Sequence, residues 1–567
     1  MKRIAIALCI ALTCAGLGWA AYRAVAPPET PLSKFVPAGP LLYLEAQDFS
    51  SLLNDWDSSP QKKQWIRSDS YEMFSRSRLF LRLKGAGEQF AAAAGIPADT
   101  DFFSQVAGER SAVALYDIGK LQFLYITYLP SAKSMQTALY QSRAKFEPRS
   151  AGGVNFYLRR DPQSEREVAF AVSGDYLLLA TREDLMAGAL ELMSGKQERT
   201  VESETWWQQA TADAGKPGDL RMVLDLQTLV PNRYFRTYWV QQNITDLSQY
   251  SAAVSDFFRS RKQYREERVL IRKKERDPAP APEGFAAAAD LSRLVPQNAG
   301  VYRSAANPSS DACFALIETK ILAPHFGPAP ASHFAPQVQL TSGEQGASSD
   351  LETRIDLPPA QAPAGPDSAS AFRELLQKTQ VLASLQVQST QRDAAGVFVR
   401  NHTAVVLSAA SEWNEANVQS TIAEFVRPSL TASQLGVTWT PKSGYQQLDG
   451  LWPLSVAVRG KYLVVSDDPA MMESILSGFA RKSDRKPLEL YAGFNHDLEG
   501  SNFLRFVGLV DRTNTREQVE GVPREPQFFS GNMASLSTSL GDVSAEHIEI
   551  RPDGAKMRQT VIYEWSQ

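Results

Sequence analysis

Cysteine is scarce in this chain of 567 residues, which contains only three. Cys9 and Cys14 lie in an apolar leader, so Cys313 is alone in the rest of the sequence. A single thiol excludes an intrachain disulfide there, and it excludes a metal site built on paired cysteines. A nucleophilic cysteine needs a base held beside it, and no histidine lies close to Cys313 in the sequence. We therefore expect a small buried hydrophobic residue at this position.

Recognisable catalytic motifs are also absent. The sequence contains no glycine-rich phosphate loop, no zinc-protease His-Glu pair and no Gly-x-Ser-x-Gly elbow. Its formal net charge of −4 argues against nucleic acid as a partner. The sequence therefore predicts neither a cofactor nor a metal ion. It assigns no catalytic residue and leaves open whether the chain is an enzyme.

Histidine is the next scarce residue, with five in the whole chain. His325 and His333 fall in a Pro/Ala-rich stretch, where a metal pair is the less favoured interpretation. His402 begins a strand-like run, His496 follows another, and His547 lies near the carboxyl terminus. Each is predicted to be a surface or capping residue, because isolated histidines seldom form sites.

The amino terminus, in contrast, has a long apolar run. Two basic residues precede nineteen residues without a charge, over 4–22. As a helix this run spans roughly 28 Å, which is close to the hydrocarbon thickness of a membrane. Residues 1–30 are predicted to form a signal anchor with a short linker, or else a signal peptide that is cleaved after Ala20. The protein would then be a single-pass inner-membrane protein with its body in the periplasm, or a secreted or periplasmic protein after cleavage.

Two pairs of similar segments indicate an internal duplication. The segment SKFVPAGPLLYLEA at 33–46 matches SRLVPQNAGVYRSA at 292–305, with an offset of 259 residues. A second segment, FAVSGDYLLLA at 170–180, matches VAVRGKYLVVS at 456–466 with an offset of 286 residues. Because the two matching segments occur in the same order in both halves of the chain, we expect two homologous domains.

The larger second offset places 27 additional residues in the second copy. We assign them to a stretch rich in Pro, Ala, Ser and Gly, about 323–370, which is predicted to be a disordered insertion because it cannot bury enough apolar area to fold. A shorter Pro/Ala stretch, 277–288, is interpreted as a linker. The predicted domains are then 31–276 and 289–567.

Each copy has the pattern of a mixed α/β unit. Apolar and aromatic runs predict strands at 123–129, 154–158, 168–173, 176–180, 220–226, 488–494, 534–540, 545–550 and 557–564, and residues 131–145 have helical spacing. Gly174 and Gly460 each supply the glycine that a tight hairpin turn requires. The predicted fold class is α+β. It comprises two homologous domains, each a largely antiparallel or mixed sheet with helices on one face, and an apolar N-terminal helix.

A helix is predicted directly after each hairpin. Thr181 and Asp184 are interpreted as a capping pair for the first helix. Asp467 and Asp468 precede Pro469 and are interpreted as the cap of the second. The same two carboxylates have the chemistry of an acid–base pair, but capping already explains them.

The Val-Pro…Tyr openings at 36–43 and 295–302, together with the Ala-Val-x-Gly-x-Tyr-Leu hairpins at 171–177 and 457–463, resemble an uncharacterised exported bacterial family. That family is a domain of unknown function in two tandem copies. The resemblance extends over most of both copies. It implies an exported protein, and it supplies no catalytic residue.

Two further features suit a partner. Arg259–Arg276 contains nine basic and three acidic residues, which is typical of a solvated strand or helix face or of a surface for anionic lipids. The pair Trp206 and Trp207 is expected to pack in a core or to anchor a partner.

These observations favour a membrane-anchored envelope protein with a binding or scaffolding role. Its predicted partners are the membrane, through the N-terminal helix, and an envelope protein or anionic lipid. The alternative is an exported hydrolase with an unrecognised site between the two repeats. In that case His402, His496 and nearby acidic residues would converge in a pocket.

Overall fold

The computed structural model describes residues 30–238, 247–273, 282–322, 370–392, 399–431, 438–448, 453–503 and 543–565. The predicted apolar helix at 4–22, nearly all of the predicted insertion and the strand at 534–540 lie outside these residues. The chain divides into two units. One consists of Met1–Ser58 and Arg78–Val254, and the other of Ser59–Ser77 and Ser255–Gln567.

Strands form the centre of the first unit: β1 (Leu42–Ala46), β2 (Ser111–Asp117), β3 (Gln122–Tyr128), β4 (Glu147–Ala151), β5 (Val154–Arg160), β6 (Glu167–Ser173), β7 (Tyr176–Ala180) and β8 (Leu220–Leu224). They pair antiparallel in the order β4-β5-β6-β7-β3-β2-β1-β8.

The helices up to residue 238 are α1 (Phe49–Ser58), α2 (Pro60–Ile66), α3 (Asp69–Ser75), α4 (Arg78–Ala94), α5 (Thr100–Val106), α6 (Ser131–Ser134), α7 (Ala138–Gln141), α8 (Glu183–Met193), α9 (Thr205–Thr211), α10 (Leu226–Leu229) and α11 (Arg233–Tyr238). Of these, α2 and α3 belong to the second unit.

The chain leaves the first unit along β9 (Tyr250–Arg259). The second unit contains β10 (Gln263–Arg272), β11 (Val301–Ala306), β12 (Val381–Arg392), β13 (Val399–Ala409), β14 (Trp439–Pro441), β15 (Gln446–Leu448), β16 (Leu454–Arg459), β17 (Tyr462–Ser466), β18 (Leu490–Asn495), β19 (Val543–Asp553) and β20 (Lys556–Trp565). Its antiparallel order is β10-β20-β19-β18-β11-β12-β13-β17-β16-β15-β14.

Besides α2 and α3, the second unit contains the helices α12 (Pro282–Leu291), α13 (Ser310–Ile317), α14 (Ser370–Lys378), α15 (Glu415–Thr431) and α16 (Pro469–Gly478). A further helical segment covers 496–503. The fold is therefore mixed α+β with extensive antiparallel sheet, as the sequence predicts.

The same set of strand pairings occurs in both units. In the first unit β1 pairs with β2 and β8, β2 with β3, β3 with β7, and β4 to β7 follow one another. In the second unit β11 corresponds to β1, and β12 and β13 correspond to β2 and β3. Likewise, β14 to β17 correspond to β4 to β7, and β18 corresponds to β8. Both hairpin glycines have positive φ, +56° at Gly174 and +55° at Gly460.

Helices cover both faces of the sheet rather than one. In the second unit Val405 and Leu407 pack in one core with α13, α14 and α15, while their neighbours Ala404 and Val406 pack in another with α12 and α16. Because alternate strand residues point to opposite faces, each face has its own helical layer. The prediction of helices on one face is wrong. The signal was available in the sequence, since continuous apolar strands indicate burial on both sides.

Two local predictions also need correction. Thr181 does not cap α8, because its hydroxyl accepts a hydrogen bond from the Phe123 backbone N–H at 2.8 Å, and Asp184 pairs with Arg182 instead. Residues 131–145 form two short helices and a 3-10 turn, because the Thr137 side chain caps a new helix there.

Part of the stretch interpreted as a linker is a helix. Residues from Pro282 onward form α12, in which Ala287 and Ala288 are buried. Alanine has the highest helix propensity, so an alanine-rich sequence after a proline suits a first turn. The linker predicted at 277–288 therefore overlaps a helix from Pro282 onward.

Candidate functional site

A large apolar cavity lies within the first unit, between one face of its sheet and the helices α4 and α5. Its volume is about 510 Å³, which falls within the range of small-molecule sites. The sheet wall is formed by alternate residues of adjacent strands, among them Leu42, Leu44, Val113, Leu115, Phe123 and Leu179. Their register places them side by side on one face, because Leu44 lies opposite Val113 and Leu42 opposite Leu115.

The helical wall comes from one stripe of α4. Leu83, Ala86, Gly87 and Phe90 all line the cavity, at the i, i+3, i+4 and i+7 spacing of a single helix face. The carboxyl-terminal end of α4 is fixed in the core, where Ala93 and Ala94 are fully buried. The middle of the same helix, over 83–90, therefore lies along the cavity.

Exposed apolar side chains mark where the cavity meets solvent. Leu83 and Phe103 both line it, yet they are 49% and 47% exposed. Exposed apolar residues that cluster in one part of a fold indicate a binding site more often than a neutral surface.

The uncharged polar groups in the lining are satisfied within the protein. Tyr125 donates to the Val106 carbonyl at 2.9 Å, and the Ser111 and Thr127 hydroxyls lie 2.7 Å apart. Burial raises the pKa of Tyr125, which keeps it neutral. Since no free partner is offered for a polar ligand along this wall, it suits an apolar one.

The charged end of the cavity carries Arg166 and Glu167. The Glu167 carboxylate is neutralised from outside the cavity by Arg160, and it accepts the Glu183 backbone N–H at 2.9 Å. Arg166 donates to the Gln89 side chain at 3.0 Å and to the Lys120 carbonyl, and its charge interacts with the Asp117 carboxylate.

A second guanidinium lies beside Arg166. Arg82, on α4, donates to the Gly119 carbonyl, which precedes the carbonyl that Arg166 uses. Within the described part of the chain, the Nε atom of Arg82 is buried without a hydrogen-bond partner. Burial lowers the pKa of Arg166, and the charge of Arg82 lowers it further. Of these two neighbouring guanidiniums, Arg166 lines the cavity and Arg82 is not part of its lining.

Comparison with known proteins adds little to this geometry. No family model and no curated protein matches the chain. Crystal form I of TP0453 matches with a TM-score of 0.22 and 11% identity, over 44% of this chain and 82% of that one. Form III gives 0.22 and 11%, over 48% and 89%. At such low TM-scores the likeness carries no argument. The resemblance to an exported bacterial family therefore stays a prediction.

A polar cluster occupies the second unit, around Tyr302 on β11. Its hydroxyl lies 2.7 Å from His547 Nδ1 on β19 and 3.1 Å from the Tyr491 hydroxyl on β18. Gly493, on the strand between them, lies opposite both Tyr302 and His547. The absence of a side chain at Gly493 lets the Tyr302 ring cross that strand. Burial raises the pKa of Tyr302.

The cluster opens into a pocket of about 250 Å³. Arg485 donates to the Tyr491 hydroxyl at 3.0 Å and lies 3.6 Å from Glu549. His547 Nε2 lies 3.6 Å from Glu564. Because each charged group faces an opposite or neutral partner, the arrangement is explained as a packing network.

His402 and His496, both in the second unit, do not converge. His402 on β13 lies opposite Ser389 on β12. The register then places Ser389 opposite Gly300, which precedes β11, and Gly300 opposite Asn495 on β18. At about 4.8 Å per strand, His402 and Asn495 are roughly 14 Å apart. Burial lowers the pKa of His496. The hydrolase hypothesis thus loses the pair on which it was based.

Cys313 and Trp207 are core residues, as predicted. Cys313 is buried in a hydrophobic core, and burial raises the pKa of its thiol to about 12. Trp207 is buried with its ring edge against Tyr43, at 5.0 Å between centroids.

The basic segment from Arg259 is a strand hairpin as far as residue 273. Its side chains form ion pairs, such as Arg268 with Glu266 at 2.6 Å and Arg272 with Glu489 at 3.2 Å. Residues 274–276 lie outside the described part. His325 and His333 do too.

Over the described ranges, no three His, Cys, Asp or Glu side chains are close enough together to hold a metal ion. No helix in the same ranges has the length and apolarity needed to span a membrane.

The cavity itself was not found from the sequence. The stripe LFLRLKGAGEQF at 79–90 carried a usable signal, because its apolar and small residues recur at helical spacing. The arginine pair gave no such signal, since Arg82 and Arg166 are far apart in the chain.

Proposed function

We propose that this protein is a non-enzymatic envelope protein that binds an apolar ligand in the cavity of its first unit. Export and a retained N-terminal anchor are part of the proposal, and they rest on the leader at 4–22. The observation that carries the binding role is the cavity, whose wall is apolar and whose uncharged polar groups are already satisfied.

The energetic reason is the gain from filling such a space. An apolar cavity of this kind holds water poorly and accepts hydrocarbon readily. Each methylene moved from water into it contributes about 0.8 kcal/mol, or roughly a fourfold gain in affinity. A ligand with an alkyl chain would gain most.

We further infer that the two units are diverged copies of one domain. The shared set of strand pairings and the matched hairpin glycines support this. In the second unit, side chains including Phe314, Phe372 and Trp413 fill the core beside the corresponding sheet face. Under this proposal, ligand binding belongs to the first copy.

The test is photo-crosslinking in membranes isolated from cells that express the full chain. A neutral alkyl alcohol that carries a diazirine is added, and the labelled peptides are mapped by mass spectrometry. We expect label on α4 and α5, at the residues that line the cavity. Label elsewhere but not on these helices would refute the proposal.

Gly87 and Gly85 provide a matched pair of variants. A Cβ added at either would meet no atom within 4 Å, but only Gly87 lines the cavity. Gly87→Trp should therefore fill the cavity and remove most of the label, whereas Gly85→Trp, on the same helix, should leave it. Equal labelling of the two variants would show that the cavity is not the site.

A further inference from the structure

The charged end of the cavity allows its ligand to be specified further, on the assumption that the proposed function is correct. We infer that the ligand is an amphiphile with an anionic head group, whose alkyl chain occupies the cavity and whose head group binds Arg166, with the charge of Arg82 close by. The shared chemistry is a carboxylate or phosphate joined to a hydrocarbon chain.

The first argument is the imbalance of charge at this end. Glu167, the one acidic residue of the lining, already has Arg160 and a backbone N–H as partners. Arg166 lines the same cavity, and its charge interacts with the Asp117 carboxylate and with the Arg82 guanidinium. Because the two arginines outnumber the one carboxylate that acts on them, the net charge at this end is positive.

The second argument is the unused hydrogen-bonding capacity. A guanidinium carries five N–H donors. Arg166, which lines the cavity, donates from Nε to the Gln89 side chain and from Nη1 to the Lys120 carbonyl. An anionic oxygen is the strongest acceptor for the donors that remain.

The third argument is the way in which the two arginines are held. They donate to the consecutive carbonyls of Gly119 and Lys120 in the turn between β2 and β3. Gln89 on α4 holds Arg166 from the other side, at 3.0 Å. Because both side chains are already held in place, ligand binding would cost little of their conformational entropy.

The experiment compares head groups on a constant chain. Membranes with the full chain receive one of four diazirine probes: palmitic acid, hexadecyl phosphate, hexadecanol or hexadecylamine. Label on the peptides of α4 and α5 is divided by total membrane label, which corrects for partitioning. We expect at least one of the two anionic probes to exceed hexadecanol by roughly tenfold, the gain of a charge-assisted hydrogen bond. The acid and phosphate arms then distinguish a fatty acid from a phospholipid-like source.

Arg166→Gln is the decisive variant, with Arg149→Gln as its control. Arg149 is exposed, pairs with Glu147 at 2.9 Å and does not line the cavity. We expect Arg166→Gln to remove the excess of anionic-probe label over hexadecanol label measured in the same variant, and Arg149→Gln to retain that excess.

The outcomes separate this inference from the proposed function. Equal label from the anionic probes and the alcohol, or a preference for the amine, would overturn the head-group assignment and leave the apolar site intact. No cavity label from any probe would refute the proposed function itself.

Discussion

At the scale of single residues, the absence of a side chain at Gly493 makes room for the hydrogen-bond network around Tyr302. A Cβ placed there would lie 2.3 Å from the Tyr302 hydroxyl oxygen and 2.4 Å from Cζ. The ring cannot easily move, because its hydroxyl contacts both His547 and Tyr491. Glycine is therefore required for packing here rather than for backbone conformation.

We expect Gly493→Ala to lower the free energy of unfolding by about 1–3 kcal/mol, the usual result of overpacking. Urea denaturation of the purified protein measures this. Gly85→Ala is the control: its Cβ meets open space, and alanine favours a helix by about 0.5–1 kcal/mol over glycine. If Gly493→Ala were as stable as the parent, the close approach of Tyr302 would be wrong.

Cys313 gives a second prediction at this scale, because burial raises its thiol pKa to about 12. In a Cys9→Ser, Cys14→Ser background, alkylation at neutral pH should be at least about a hundredfold slower than for an exposed cysteine. Denaturant should restore the rate. Rapid alkylation of the folded protein would contradict the burial of this thiol.

The same shift has a consequence for stability at high pH. Folding favours the neutral thiol, so its contribution is fully present below the pKa of the unfolded thiol, about 8.5. It is lost as the pH rises from there towards 12.

At the scale of elements, the start of α16 separates two acidic residues that look alike in the sequence. Asp468 caps the helix, accepting from Ala470 at 3.2 Å and from Met471 at 3.3 Å. Asp467 is buried and accepts the Thr403 backbone N–H at 2.7 Å, which joins the helix start to β13. One carboxylate thus serves a helix and the other a strand.

Denaturation of alanine variants should distinguish the two roles. Asp468→Ala is expected to cost about 1 kcal/mol, the usual value of an N-cap. Asp467→Ala is expected to cost about 1–3 kcal/mol, because it leaves a buried N–H without its acceptor. Neither should change labelling of the cavity, which lies in the other unit. A smaller loss for Asp467→Ala than for Asp468→Ala would reverse this assignment.

At the scale of the whole molecule, the predicted leader makes the location of the protein testable. If residues 4–22 form a retained anchor, the protein should stay in the membrane fraction after carbonate extraction, and protease added to the periplasmic side should digest its body. Mass spectrometry of the amino-terminal peptide provides an independent measurement. A carbonate-extractable protein that begins at Ala21 would show that the leader is cleaved.

Several elements could be predicted from the sequence because their causes are local. The hairpin at Gly174 combines two continuous apolar strands with a glycine that accepts positive φ, and its second strand has the predicted bounds, Tyr176–Ala180. The strands near the carboxyl terminus and the cap at Asp468 also depend on neighbouring residues. In each case the determining contacts lie within a few positions along the chain.

The cavity, the arginine pair and the network at Tyr302 were decided only by the tertiary structure. Tyr302 and His547 are separated by 245 residues, and they meet because three strands align in one register across a glycine. Arg82 and Arg166 meet because α4 packs over the turn between β2 and β3. No local pattern encodes such contacts, since the free energy that brings these residues together comes from burying other side chains.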